Sequence, residues 1–148
     1  MSLNGNIKLM NMSITVKELN DKHQLNASNN GVSAIDNCML MVNGNLGIGN
    51  IMRIKPYDSD YLYKIDHQYG CCVVSESCSL LKADGSFGSI RERAIKPADQ
   101  LVLIDAKGNK MLSAVKEVCP MSERTLTYNI RTNRGNYITE SGLVVLSD

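Results

Sequence analysis

The sequence has no tryptophan, one phenylalanine and two histidines in 148 residues, and its formal net charge is only +1. Basic residues are scattered and no aromatic platform accompanies them, which argues against a nucleic-acid-binding surface. No window approaches the roughly 18 apolar residues of a membrane span, and the polar N-terminal region lacks a signal-peptide core. We therefore expect a cytoplasmic protein that binds neither nucleic acid nor a membrane.

Five cysteines occur without any Cys-x-x-Cys spacing, and only two histidines accompany them. This pattern argues against a zinc site. Adjacent Cys71 and Cys72 point to opposite faces of any strand, so they are poorly placed to pair with each other. An odd number leaves at least one free thiol in a monomer, which fits a reducing compartment. We expect a monomer without metal or cofactor.

An internal duplication is the strongest signal in the chain. Tyr63-Lys64-Ile65 is echoed 65 positions later by Tyr128-Asn129-Ile130, and Ile48 to Ile54 precedes the first copy much as Leu112 to Val118 precedes the second. Repeats of this length rarely bury enough apolar surface alone, so two copies close one core together. We predict one domain over residues 1–148, built from related halves at about 1–82 and 83–148.

Almost every periodic segment alternates with a period near two, which predicts a compact all-β fold. The apolar run from Cys38 to Val42 ends at Asn43-Gly44, a strong turn dipeptide that predicts a hairpin into the next strand. Only the segment from Ile90 to Ala98 has helical character, and Pro97 limits it to a turn or two. The other main expected strands span residues 46–54, 61–65, 71–75, 101–105, 111–118, 126–132 and 137–146.

Several of these segments together resemble the Hint domains of inteins and hedgehog autoprocessing proteins. In that family a strand ends in Thr-x-x-His, and a later Lys-Pro-Gly-Asp segment opens another strand. The corresponding segments here are Ser75-Glu76-Ser77-Cys78 and Lys96-Pro97-Ala98-Asp99. The end of the chain is similar to an intein ending, and Ser2 stands where the intein nucleophile sits. The resemblance implies a pseudo-two-fold β architecture over nearly the whole chain, at the length of an intein without a nuclease insert.

The family's reactive positions carry different residues in this sequence. The resemblance places the candidate catalytic residues at Ser2, Ser75, Cys78, Asn129, Ser147 and Asp148. Ser75 stands for the family's threonine, Cys78 for its first histidine, Asn129 for an aspartate, Gly135 for a second histidine, and Ser147-Asp148 for the terminal His-Asn.

The resemblance implies autoprocessing by an acyl shift, in which the Ser2 hydroxyl attacks the preceding carbonyl. A hydroxyl needs base assistance, and a cysteine at position 78 replaces imidazole poorly near neutral pH. His67 lies on the same strand face as Ile65 and is a candidate to reach the site from the neighbouring strand. The alternatives are a surface role for His67 and a small buried apolar role for Cys78.

Three interpretations therefore stay open at this point. The first is single-turnover self-splicing or self-cleavage of attenuated rate, with flanking polypeptide segments of its own precursor as partners. The second is a catalytically inactive Hint-shaped or duplicated β module that acts as a binding or structural domain. The third is an unrelated β-barrel binding domain, which a concave apolar pocket would favour.

Overall fold

The computed structural model describes residues 6–8, 13–15, 36–42, 45–105 and 107–147. Within these residues the chain forms strands and turns without a helix, as the sequence predicts. No described helix is therefore long and apolar enough to cross a membrane. The strands are β1 (Asn6–Lys8), β2 (Ser13–Thr15), β3 (Asp36–Val42), β4 (Asn45–His67), β5 (Gly70–Ser75), β6 (Leu80–Leu81), β7 (Phe87–Gly88), β8 (Gln100–Ile104), β9 (Lys110–Thr132), β10 (Asn136–Ile138) and β11 (Val144–Leu146).

Two long antiparallel strands, β4 and β9, form the centre of the fold. In the duplicated sequence, Ile54 of the first copy corresponds to Val118 of the second, and Ile65 corresponds to Ile130. In the structure, Ile54 lies opposite Ile130 and Ile65 lies opposite Val118. Exchanging the two halves thus converts one pair into the other. Leu80 and Val145, which lie 65 positions apart, pair directly between β6 and β11. The predicted pseudo-two-fold architecture is confirmed, whereas the boundary between the halves stays a prediction.

The remaining strands are arranged around this pair in matching positions. A five-stranded sheet has the order β3-β4-β9-β8, and β5 pairs with the second half of β4. The predicted hairpin is present, with β3 paired to β4 from Val42↔Asn45 to Asp36↔Ile51. Its counterpart joins β8 to the start of β9. A second sheet has the order β10-β11-β6-β7, so it contains strands from both halves.

Four local expectations were wrong. The expected strands 111–118 and 126–132 are parts of one continuous strand, β9, and the expected strand 137–146 is divided by a turn into β10 and β11. The sequence divides residues 46–65 into two strands, but β4 is continuous and absorbs the irregularity through register shifts, one of them between Tyr57 and Asp60. Such bulges add residues to one strand and increase its twist without ending the ladder. The expected helical turns at 90–98 are non-helical turns, in which Arg93 and Ala98 adopt positive φ angles of 58° and 77°.

The main apolar cluster joins the two halves. Its fully buried side chains include Leu40, Ile51 and Ile65 from the first half and Leu101 and Ile130 from the second. Because each half supplies part of the same core, removal of either half would expose the apolar surface of the other.

Gly142 has a backbone role that another residue cannot fill. Its φ is +91°, its N–H donates to the Thr139 carbonyl, and its own carbonyl accepts from the Ile104 N–H. A Cβ added there would overlap the backbone oxygen of Ile104. The turn after β10 is therefore fitted against the end of β8.

We predict that Gly142→Ala lowers the free energy of unfolding by about 3 kcal/mol, because strain at positive φ adds to overlap with backbone. Gly85→Ala is the matched control, since Gly85 has a φ of +87° but no atom within 4 Å of an added Cβ. Gly85→Ala should lower the free energy of unfolding by about 1 kcal/mol, from strain at positive φ alone. Urea unfolding measures the free energy of unfolding of both variants. Equal decreases in the two variants would contradict the proposed overlap at Gly142.

Candidate functional site

A cavity of about 190 Å³ lies where the turn after β5 meets β9 and the C-terminal strand. Hydroxyl, thiol and amide groups line one part of it and apolar side chains line the rest. Four of the seven residues predicted from the sequence are among its walls. The lining residues are Ser75, Ser77, Cys78, Ser79, Thr127, Tyr128, Asn129, Ile130, Tyr137, Val145, Leu146 and Ser147.

The structure brings together Ser75, Cys78, Asn129 and Ser147, which come from three separate stretches of the chain. Ser75 ends β5, Asn129 lies near the end of β9, and Ser147 follows β11. Two other predicted site residues, Ser2 and Asp148, lie outside the described residues.

A tight turn after β5 presents Ser77 and Cys78 to the cavity. The Cys78 N–H donates to the Ser75 carbonyl at 3.1 Å, and the Glu76 N–H donates to the Tyr61 carbonyl at 2.9 Å. These two hydrogen bonds fold the segment back against β4. Ser75 itself is only 2% exposed, so its hydroxyl is held at the base of the turn.

The C-terminal strand closes the other side of the cavity. The Leu146 N–H donates to the Ser79 carbonyl, and the Ser147 N–H donates to the Gly135 carbonyl, both at 2.9 Å. The Ser147 hydroxyl lies 3.5 Å from the Thr132 hydroxyl. The end of the described chain is therefore fixed beside the turn that carries Cys78.

Several solved intein structures are similar to this chain over nearly its whole length. A DnaB intein from Synechocystis sp. PCC 6803 gives a TM-score of 0.80 at 11% identity, covering 100% of this chain and 97% of its own length. The TvoVMA intein gives 0.76 at 16% identity, with coverages of 98% and 95%. The DnaX mini intein from Spirulina platensis gives 0.71 at 12% identity, with coverages of 99% and 98%. No family model and no curated protein matches the sequence.

The chain has the Hint fold of inteins. The resemblance drawn from short sequence segments is thus confirmed for the fold. It is confirmed for the fold alone, because structures of such low identity carry no information on activity. The cavity within this Hint fold contains the turn and the C-terminal strand on which the resemblance was based.

Two ionisable groups that line this Hint cavity, the Cys78 thiol and the Tyr137 phenol, have raised pKa values. Burial, with the nearby charge of Asp60, raises the pKa of the Cys78 thiol above its ordinary value. Burial also raises the pKa of Tyr137 well above its ordinary value. None of the described lining residues is a histidine, a carboxylate or a cation. The thiol and the phenol therefore serve this part of the cavity as neutral groups.

His67 is not brought to this cavity. It pairs with Gly70 at the hairpin end of β5, whereas Ser75 pairs with Leu62, and five residues along a strand span about 17 Å. Its imidazole is buried, with Nδ1 2.7 Å from Ser113 Oγ. Burial lowers the pKa of His67, although the neighbouring Asp66 opposes this shift.

A second cavity of about 220 Å³ contains His67 instead, together with Tyr69, Cys71 and Asp105. The prediction that His67 and Ile65 share a strand face agrees with their common burial. The strand face alone, however, does not determine how far along β4 His67 lies from the first cavity. No group of three or more histidine, cysteine or acidic side chains suited to a metal occurs among the described residues.

Asp60 is the residue that sequence reasoning missed. Only 2% of this aspartate is exposed, and it receives hydrogen bonds from Ser77, Arg91 and the Tyr61 N–H. The Ser77 hydroxyl donates to Oδ2 at 2.6 Å, the Ser77 N–H donates to the same oxygen at 3.1 Å, and Arg91 donates to Oδ1 at 2.8 Å. A charged acceptor makes each of these bonds stronger than a neutral one would. Asp60 thereby fixes the turn that carries Cys78.

The hydrogen bonds to Asp60 keep it ionised. Burial alone would raise the pKa of this carboxyl, but the bonds from Ser77 and the charge of Arg91 outweigh burial and lower it. A lowered folded-state pKa stabilises the protein above the ordinary carboxyl value of 3.8, and this contribution is lost as pH falls through the folded value.

We predict that Asp60→Ala lowers the free energy of unfolding by about 3 kcal/mol at pH 7, because buried donors lose a charged acceptor. The difference from the parent should narrow as pH falls below 3.8 towards the lowered folded-state pKa, because the carboxyl of the unfolded parent then takes up a proton before that of the folded parent does. Asp66→Ala is the control, since the ion pair of Asp66 among the described residues is an exposed one with Lys64 at 3.6 Å, and its loss should lower the free energy of unfolding by about 0.5 kcal/mol. Urea unfolding of both variants and the parent at pH 7 and pH 3 gives these free-energy differences. If Asp60→Ala lowered the free energy of unfolding equally at the two pH values, the ionic contribution of Asp60 would be refuted.

Proposed function

We propose that this chain is an autoprocessing domain that breaks peptide bonds at its own boundaries, just before Ser2 and just after Asp148. The observation that supports this most directly is the meeting of Ser75, Cys78, Asn129 and Ser147 at one cavity. These residues were selected from sequence resemblance alone and lie far apart in the chain. Their partners would be the flanking segments of a precursor.

The first step requires the Ser2 hydroxyl to attack the carbonyl carbon of the preceding residue. A C–O bond forms, the C–N bond breaks, and the hydroxyl proton is transferred to the departing amine, so that an amide becomes an ester. The hydroxyl of Ser75 and the amide of Asn129 are among the lining groups able to donate hydrogen bonds to a developing oxyanion.

Proton transfer is the weak part of this step. Catalysis by a positioned acid or base contributes about 10²–10⁴ in rate, and a group with a pKa near the working pH is best suited to it. The buried Cys78 thiol is a poor acid because its pKa is raised. We therefore propose an attenuated rate. In cleavage after Asp148, a side-chain carboxyl oxygen would attack the backbone carbonyl carbon of Asp148. The C–O bond of a cyclic anhydride forms, the C–N bond to the next residue breaks, and the departing amine takes up a proton, so this step should be slower still.

Because the described lining of the cavity includes no histidine, carboxylate or cation, one alternative function is also supported. A Hint-shaped domain that lacks an acid and a base is suited to binding or to a structural role, with the cavity as a polar recess. The resemblance to hedgehog proteins, the monomeric state and the cytoplasmic location also stay predictions.

The decisive experiment places residues 2–148 between two inert carrier proteins and follows intact mass over time, with and without hydroxylamine. We expect a slow break before Ser2 that hydroxylamine accelerates, because an ester intermediate is attacked more readily than an amide. Ser2→Ala should abolish that break and leave the folded domain intact. Unchanged masses over several days would contradict autoprocessing and favour the binding or structural role.

We predict that Cys78→His raises the rate of the break before Ser2 by about 100-fold, because an imidazole would then supply acid–base catalysis at the turn. Cys71→His is the matched control, since Cys71 is exposed and does not line this cavity. Mass spectrometry of the carrier fusions gives both rates. An equal rate in the parent and in both variants, with unchanged circular dichroism, would exclude position 78 from the reaction.

A further inference from the structure

A buried histidine leaves one polar atom available to the second cavity. His67 is 8% exposed, and its Nδ1 lies 2.7 Å from the Ser113 hydroxyl oxygen. The other ring nitrogen, Nε2, has no hydrogen-bond partner among the described residues. Ser113 is not part of the described wall of this cavity, whereas His67 is, so the Nε2 edge of the ring faces the cavity. Since buried polar atoms are normally hydrogen-bonded, this nitrogen is available to a molecule that enters.

The Ser113 hydroxyl decides which ring nitrogen of His67 carries the proton. Ser113 is fully buried, and its oxygen also accepts a hydrogen bond from the Tyr69 N–H at 3.3 Å. A hydroxyl has one proton to donate, and Nδ1 of His67 is its one acceptor among the described residues. Pairing that buried proton requires Nδ1 to accept it, which assigns the ring proton to Nε2. Burial lowers the pKa of His67, so near pH 7 the neutral ring offers the cavity an N–H donor.

The other half of the duplication builds the matching end without such a pair. There, Thr132 corresponds to His67 and Gly49 corresponds to Ser113. The Thr132 hydroxyl donates instead to the Asn136 carbonyl at 2.8 Å, and Gly49 has no side chain. The fold therefore does not need a hydroxyl bound to an imidazole at this position. This favours a role for the pair in binding.

The rest of the cavity combines apolar residues with a carboxylate. Leu103 and Met111 line it, and a volume of about 220 Å³ admits a six-membered ring, since an apolar cavity of about 150 Å³ binds benzene. Asp105 lines it as well, and its Oδ1 accepts from the N–H groups of Asn109 and Lys107 at 2.8 and 2.9 Å. These hydrogen bonds lower the pKa of Asp105 and keep it ionised. A carboxylate has about four lone-pair sites, so it can also accept from a ligand.

We propose that the second cavity binds a small aromatic carboxamide. The carboxamide oxygen accepts from the Nε2–H of His67, and its NH2 group donates to the carboxylate of Asp105. The ring packs against Leu103 and Met111. A carboxylate is disfavoured because Asp105 repels it, and an amidinium offers no acceptor to the imidazole N–H. Among the described residues none lines both cavities, so this site is independent of the proposed processing site.

The first test observes the His67 ring in the unaltered chain by long-range proton–nitrogen NMR. The chain has two histidines, so His23→Gln assigns the signals of His67. Near pH 7 we expect the nitrogen shifts of a neutral ring protonated at Nε2. A ring protonated at Nδ1 would overturn the proposal, because the cavity would then face an acceptor instead of a donor.

The second test compares three probes that share one ring and differ in the attached group. Benzamide carries the carboxamide, benzoate a carboxylate and benzamidine a cation. We expect benzamide to shift the Nε2 resonance of His67 saturably, with a dissociation constant about tenfold lower than that of either other probe, the equivalent of one hydrogen bond. Tighter binding of benzoate or benzamidine, equal binding of all three, or no shift up to the solubility limit of benzamide overturns the proposal.

A fourth probe distinguishes a free ligand from a polypeptide side chain. N-acetylglutamine methylamide presents the same carboxamide without a ring, so we expect it to bind more weakly than benzamide because it covers less apolar surface. Equal or tighter binding of this probe would overturn the assignment of an aromatic ligand.

Two variants of equal charge change test the carboxylate. Asp105→Asn should narrow the preference for benzamide over benzoate about tenfold, because the repelling charge is gone. Asp84→Asn is the matched control, since Asp84 is an exposed turn residue that accepts from the Ser86 N–H and does not line the cavity. It should keep the preference of the parent. An unchanged preference in Asp105→Asn, or the same change in both variants, would remove Asp105 from the site and overturn the proposal.

Discussion

The antiparallel pairing of β4 with β9 is the constraint on which the rest of this structure depends. Each strand runs for 23 residues, and the pair carries hairpins to β3, β5 and β8. Because side chains alternate between faces, a slip of one residue would move the buried set of either strand to solvent. Bulges accommodate the local irregularities while the pairs Ile54↔Ile130 and Ile65↔Val118 stay in register. The same register brings Asn129 towards the turn after β5 and the C-terminal strand.

A buried carboxylate fixes the local geometry of the cavity. Asp60 lies just beyond a register shift in β4, where the regular ladder is interrupted and its side chain can reach Ser77. Removing a carboxylate from water is costly unless donors compensate it, and here two side chains and two backbone N–H groups do so. This arrangement makes the Ser75–Cys78 turn rigid. Its stability therefore depends on the ionised state of a residue that does not itself line the cavity.

Alternation, turn residues and duplication in the sequence predicted the strand content, the hairpin and the two-fold pairing. Features that depend on tertiary structure, such as the role of Asp60, were missed. Asn43-Gly44 correctly indicated the β3–β4 hairpin, and the repeat indicated the two-fold pairing. The sequence predicts separate strands at 46–54 and 61–65, which leaves Asp60 between them without a role. The strand face predicted for His67 agrees with the structure, but His67 lies at the end of β4 away from the cavity. Period-two patterns define faces, whereas distance along a strand follows from register.

The negative charge of Asp60 affects which ionised side chain is favoured at position 78. Its negative charge disfavours a thiolate and so raises the pKa of Cys78, in addition to the effect of burial. The same charge would stabilise an imidazolium, because an opposite charge favours the ionised form. The network around the turn is therefore unfavourable to thiolate chemistry and favourable to a histidine acting as an acid. For the proposed autoprocessing reaction, the surroundings of position 78 therefore suit a histidine better than the cysteine now present, which is why the proposal gives one substitution there so large an effect on the rate.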